Sequence, residues 1–94
     1  MFIGILQVSF EIPDSFSIKH KRSVVSSLKQ RLRNTFNVSV AETTNLNNIN
    51  TGGLSVVFVS SDKQYAHKVM SKIISFFERD KRIVMVDIST EVMP

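Results

Sequence analysis

Apolar and other side chains alternate with period two from Phe2 to Ile12. Phe2, Leu6, Val8, Phe10 and Ile12 share one face with Gly4, while Ile3, Ile5, Gln7, Ser9 and Glu11 take the other. The pattern predicts a long strand. Pro13 removes a ladder donor and ends it, and Pro13-Asp14-Ser15 has turn chemistry. The period then changes. Val25, Leu28 and Leu32 form a helical stripe bordered by Ile18, Val24 and Phe36, so a helix is predicted from an N-cap at Ser17 to about Thr35. Asn37 to Thr43 reads as a second strand with Val38 and Val40 inward. Asn45 to Gly53 is rich in turn residues and reads as a long hairpin connection, with Gly52-Gly53 as turn glycines. Leu54 to Ser60 is apolar on both faces, as a central strand is. Ser61 with Gln64 fits a capping box opening a second helix to about Arg79, its inward stripe Ala66, Val69, Met70, Ile73 and Phe77. Ile83 to Val92 is a fourth strand, with Val84, Val86 and Ile88 expected on the core face and Ile83 and Met85 on the other.

The order is β-α-β-β-α-β. Right-handed crossovers place both helices on one face of an antiparallel sheet. The predicted fold is α+β, a ferredoxin-like two-layer sandwich with strand order 4-1-3-2, in a single domain over residues 1–94. The sheet face away from the helices would carry Ile3, Ile5, Val57, Val59 and Met85. Its centre is too apolar to stay comfortably in water, so a homodimer or higher oligomer assembled through these five residues is one expectation.

Charge adds a second. Between Ser15 and Ala41 stand Lys19, Lys21, Arg22, Lys29, Arg31 and Arg33 and no Asp or Glu, a block of +6, whereas the rest of the chain carries six basic and eight acidic residues. The whole excess behind the net charge of +4 therefore sits on the first helix and the strand after it. Arg22, Ser26, Lys29 and Arg33 lie within about 60° of one another on a flank of the apolar stripe. Such a row can follow a phosphate backbone without reading bases. Lys21 falls on the apolar side, where its stem is expected to cover the core edge while the ammonium reaches out to water. Lys19, Lys21 and Arg22 crowd a helix start where the macrodipole disfavours cations, and an anion bound there would relieve the conflict. Base stacking on the central strands is not expected, because their open-face positions are Ile, Gln, Ser and Val rather than aromatic.

Other chemistries find little support. The chain has no Cys, so disulfides and thiolate ligands are excluded. His20 and His67 fall on different helices, both on exposed arcs, and neither has a ligand partner at metal-binding spacing. Glu42 follows the Val38-Val40 face in register and is expected to pair with Arg33 or Lys29. Gly52-Gly53 is followed by no helix and lacks the phosphate-loop pattern. No catalytic residue, metal site or cofactor is expected. The N-terminus lacks the basic region and cleavage site of a signal peptide, and no apolar run approaches a membrane span.

Glu11-Ile12-Pro13, then Ser17-Ile18-Lys19-His20-Lys21-Arg22-Ser23-Val24, then Leu28 to Arg33, then Phe36-Asn37-Val38-Ser39-Val40-Ala41-Glu42 resembles the YlxP-like family (domain of unknown function 503). The likeness runs over nearly the whole chain and includes Val59-Ser60-Ser61-Asp62. It implies a small bacterial cytoplasmic protein of ferredoxin-like fold, with genes often set among those for transcription and translation factors, near a ribosome-binding factor. It implies no catalytic residues. The matched candidates for a shared surface are Lys19, Lys21, Arg22, Lys29, Arg31 and Arg33. Two departures stand out: His20 replaces an expected acidic residue, and the loop after Glu42 is Asn-rich where relatives often carry an Asp-Leu-Trp-like stretch. Sequence and resemblance together lead to a non-catalytic accessory protein binding structured RNA or ribosomal particles through the first helix. The alternative is an assembly module working through the open sheet face.

Overall fold

The computed structural model describes residues 1–94. It contains β1 (Phe2–Glu11), α1 (Ile18–Thr35), β2 (Ser39–Thr44), β3 (Thr51–Ser60), α2 (Lys63–Glu78) and β4 (Val84–Met93). The strands form one antiparallel sheet in the order β2-β3-β1-β4. This is the ferredoxin-like arrangement that the periodicities predict, with the two apolar strands, β1 and β3, in the middle.

The core lies between sheet and helices. Leu6, Val8, Phe10 and Ile12 from the first strand segment meet Leu54, Val56 and Phe58 from β3. Val24, Val25, Leu28 and Leu32 of α1 and Ala66, Met70, Ile73, Phe76 and Phe77 of α2 close over them. The β1–β3 ladder pairs Gly4 with Phe58 at one end and Phe10 with Gly52 at the other. A Cβ at either glycine would run into the ring opposite. Each glycine makes room for an aromatic side chain lying across the neighbouring strand.

That packing corrects the reading of Gly52-Gly53 as turn residues. Both lie inside β3, neither has a positive φ, and β3 begins at Thr51. The hairpin connection shrinks to residues 45–50. Its one left-handed residue is Asn45 (φ 59°), a residue type that tolerates this region. Asn48 Oδ1 accepts from the Asn50 and Thr51 amides at 3.0 and 3.1 Å.

Two other expectations change. Asp62, not Ser61, caps α2, its carboxylate accepting from the Gln64 amide, while Ser60 Oγ accepts from the Asp62 amide. In β4 the faces are exchanged over its first half. Ser9 pairs with Asp87 but Phe10 pairs with Met85, so Val86 is the extra residue of a bulge. Ile83 is therefore buried in the core, and Met85 and Ile88 pack against it. Val84 and Val86 are exposed at 53% and 63%. Met85 thus leaves the set expected on the open face.

Candidate nucleic-acid interface

Each residue of α1 has a flank determined by its phase against the stripe. Lys21 is four residues before Val25, in line with Val25, Leu28 and Leu32. It is fully buried, and the expectation of a solvent-seeking ammonium is wrong for it. Its Nζ donates to the carbonyls of Asn45 at 2.7 Å and Leu46 at 3.3 Å. Glu42 Oε2 stands 2.7 Å away, but off the direction of an aligned hydrogen bond, so that oxygen takes no donor in good geometry. The contact is a close charge pair. Glu42 was expected to meet Arg33 or Lys29; it meets Lys21 because β2 runs back along α1 and brings its end, not its start, to the helix N-terminus. Lys21 therefore holds the 45–50 loop and cannot reach a phosphate. The loop's other end is pinned by Ser15 Oγ donating to Ile49 O at 2.6 Å and by the Ile12 amide donating to Asn50 O at 2.7 Å.

Arg33 faces β2, where its Nη2 donates to Val40 O at 3.1 Å. This occupies a carbonyl of an edge strand that is otherwise open to pairing. Arg31 lies on the opposite flank, toward α2. It donates to Asp80 Oδ2 at 3.1 Å and its guanidinium sits 5.3 Å from the Phe76 ring centroid. Asp80 is buried and also takes three bonds from Arg82: Nη2 at 2.8 Å, Nε at 3.0 Å and the backbone amide at 3.0 Å. Arg82 in turn donates to Ser27 Oγ at 3.1 Å, which ties the turn before β4 back to α1. The hydrogen bonds from Arg82 hold the Asp80 carboxyl below its ordinary value, against the opposing effect of burial, and the carboxylate holds Arg82 above its own. The short-range pair Asp80–Arg82 and its reach to Arg31 were not anticipated; the spacing of an acid and an arginine two residues apart in a turn was the available signal.

Of the six expected cations, Lys19, Arg22 and Lys29 remain without a hydrogen bond or ion pair inside the chain. Lys19 and Arg22 are exposed and Lys29 is half-buried. Ser17 caps the helix, its Oγ accepting from the His20 amide at 3.1 Å. His20 and His67 are exposed on separate helices, and no group of three or more His, Asp or Glu side chains converges.

The two layers carry opposite charge. No Lys or Arg lies in any strand. The helices hold nine of them and one acid, Glu78, for +8, whereas the strands hold Glu11, Glu42, Asp87 and Glu91, for −4. Glu11, Asp87 and Glu91 are exposed and share the open face with Ile3, Ile5, Val57 and Val59, in register with Val84, Ser9 and Ile5 respectively. Ile3 pairs with both Val59 and Met93 and Ile5 with Val57, so these apolar side chains adjoin at one end of that face. Val59 is 67% exposed. No helix is long and apolar enough to cross a membrane.

A βαββαβ sandwich with a basic helical layer and an acidic sheet defines the class. The chain belongs to the family described as Protein of unknown function (DUF503), which it matches over residues 3–90. No curated protein sequence matches it significantly.

Two predictions follow from these ties. Lys21→Met removes one partner of a buried charge pair and leaves two loop carbonyls and Glu42 unsatisfied. It is expected to cost roughly 3 kcal/mol or more in urea unfolding, and to speed amide exchange at Asn48 and Asn50. Glu42→Gln, which leaves both carbonyl bonds to Lys21 in place, should cost less; equal losses would contradict the assignment of Lys21 as the loop anchor. Asp80 supplies a pH dependence. Its folded pKa lies below the ordinary 3.8, so its contribution to stability is present above that value and lost as pH falls through the folded one. Unfolding midpoints measured down to about pH 2 should therefore fall more steeply in the parent chain than in Asp80→Asn, which starts less stable at neutral pH.

Proposed function

We propose that this protein is a non-catalytic accessory factor of the cytoplasm that binds structured RNA or ribosomal particles through the exposed side of α1. The separation of charge between the layers carries the reading. A polyanion is attracted to the helical side and repelled from a sheet face bearing Glu11, Asp87 and Glu91 without a cation. The working residues are Lys19, Arg22 and Lys29, the α1 cations that no internal partner occupies. Such binding neutralises phosphates and releases counterions, so log K should fall with log salt by roughly 0.7–0.9 for each phosphate contacted. It orients the partner without reading its sequence.

A second reading, self-association, is favoured by the apolar ladder on the opposite side, in which Val57, Val59 and Met93 are exposed beside the half-buried Ile3 and Ile5. The two readings use different faces and do not compete.

Retention of ribosomal RNA on the immobilised protein tests the first. Changing Lys19, Arg22 and Lys29 together to Glu should abolish retention at about 0.1 M salt and flatten the salt dependence, with the fold intact by circular dichroism. Unchanged retention would refute the α1 assignment. For the second, light scattering at micromolar concentration should report an oligomer that Val59→Lys dissociates. A monomer in the parent chain removes that reading.

A further inference from the structure

On the other flank of the helical layer, an open groove of about 660 Å³ runs along α2 beside the end of α1. Lys68, Lys72 and Arg79 line it with Ser71 and Ser75, and no carboxylate does. At one end stand Tyr65 and Phe36. The same two side chains, with Phe58, Val59 and Val69, wall an adjoining hollow of about 300 Å³ whose rim also carries Thr35 and Asn37. Tyr65 is 58% exposed, and Phe36 is braced edge-on against Phe76 with ring centroids 6.5 Å apart. An aromatic hollow thus opens directly into a basic trough.

The spacing along α2 gives the trough a repeat. Lys68 lies about 5 Å and Lys72 about 10 Å along the helix axis from Tyr65, on the same side. A planar ring seated against Tyr65 and Phe36 would carry an attached phosphate to Lys68, and a following phosphate to Lys72. An acidic peptide would satisfy the lysines and leave the aromatic walls bare; an apolar peptide would do the reverse. A nucleotide uses both compartments, since any base offers a face for stacking and its phosphate takes the ammonium groups.

We propose that Tyr65, Phe36, Lys68 and Lys72 form a site for a nucleoside 5′-phosphate, free or as one unit of single-stranded RNA, with Arg79 set to meet a neighbouring phosphate. The site shares no residue with the α1 surface, so it stands or falls separately from the function proposed above.

The chain has one tyrosine, so 3-fluorotyrosine labelling gives a single fluorine resonance located at the site. The labelled protein is titrated with uridine monophosphate, inorganic phosphate, polyglutamate and an oligouridylate of about eight nucleotides. The expected result is a saturable shift with the nucleotide that phosphate alone does not reproduce. Lys68→Gln with Lys72→Gln should weaken it about tenfold without changing the melting temperature. Tighter saturation by the oligouridylate identifies single-stranded RNA as the source, and equal affinity identifies the free nucleotide. The shift should survive in the Lys19, Arg22, Lys29→Glu variant. Absence of a saturable shift with both nucleotide probes, an identical shift with phosphate or polyglutamate, insensitivity to the lysine changes, or loss in the α1 variant would each overturn the proposal.

Discussion

The buried ammonium of Lys21 is the contact on which the rest of this small fold depends. It ties together three segments: the head of α1, the end of β2 and the loop into β3. Glu42 reaches it only because it lies on the core face of β2, opposite Leu54. A slip of β2 by one residue would turn Glu42 to solvent and leave Lys21 buried without a counter-charge. The pair therefore penalises the wrong register, whatever its net contribution against an apolar replacement, which is often small for buried ion pairs. In the neighbouring β1–β3 ladder Gly52 falls opposite Phe10, and the aromatic ring has a place to lie.

The same tie reinterprets the crowding of cations at the start of α1. Lys21 opposes the helix dipole, yet it is the residue that satisfies the Asn45 and Leu46 carbonyls. At the far end, Arg31 and Arg33 sit where the dipole favours them, and each has an internal acceptor. Half of the acid-free block is thus accounted for by architecture. Lys19 and Arg22 are the residues that oppose the dipole and receive no compensation within the chain, so the uncompensated positive charge of α1 is confined to these two and Lys29.

Much of this was legible in the sequence. The change of period at Pro13, the helical stripe through Leu28 and Leu32, and the doubly apolar third strand fixed the element order and the central pair of strands. Lys21 was visibly in the stripe, but its acceptors are backbone carbonyls of a distant loop, and carbonyls have no sequence signature. Reading it as a solvent-seeking side chain followed from chemistry alone. The bulge at Val86 was equally silent: one additional residue exchanges the faces of Ile83 to Val86, and nothing local announces it. Gly52-Gly53 misled for a different reason. Turn composition and a close aromatic approach both call for glycine, and only the cross-strand partner separates them. The α2 groove has no comparable signal: Lys68 and Lys72 by themselves read as a solvated helical face, and Phe36, which lines the groove with them, caps the end of the other helix.

The division of charge between layers constrains how this fold is used. A four-stranded sheet open on one side offers an obvious platform for nucleic acid, usually through aromatic side chains on its central strands. Here that platform carries Ile3, Ile5, Val57 and Val59 with Glu11, Asp87 and Glu91. It has neither rings to stack on nor cations to hold phosphate, and its field opposes a polyanion's approach. The rings and the cations are both on the helical side, with Tyr65 and Phe36 at one groove and Lys19, Arg22 and Lys29 on the other flank. Leaving the sheet side unsuited to RNA frees its apolar end for a protein surface instead. A second copy docked there would hold two helical layers outward, so that assembly would raise the number of basic surfaces presented to one RNA.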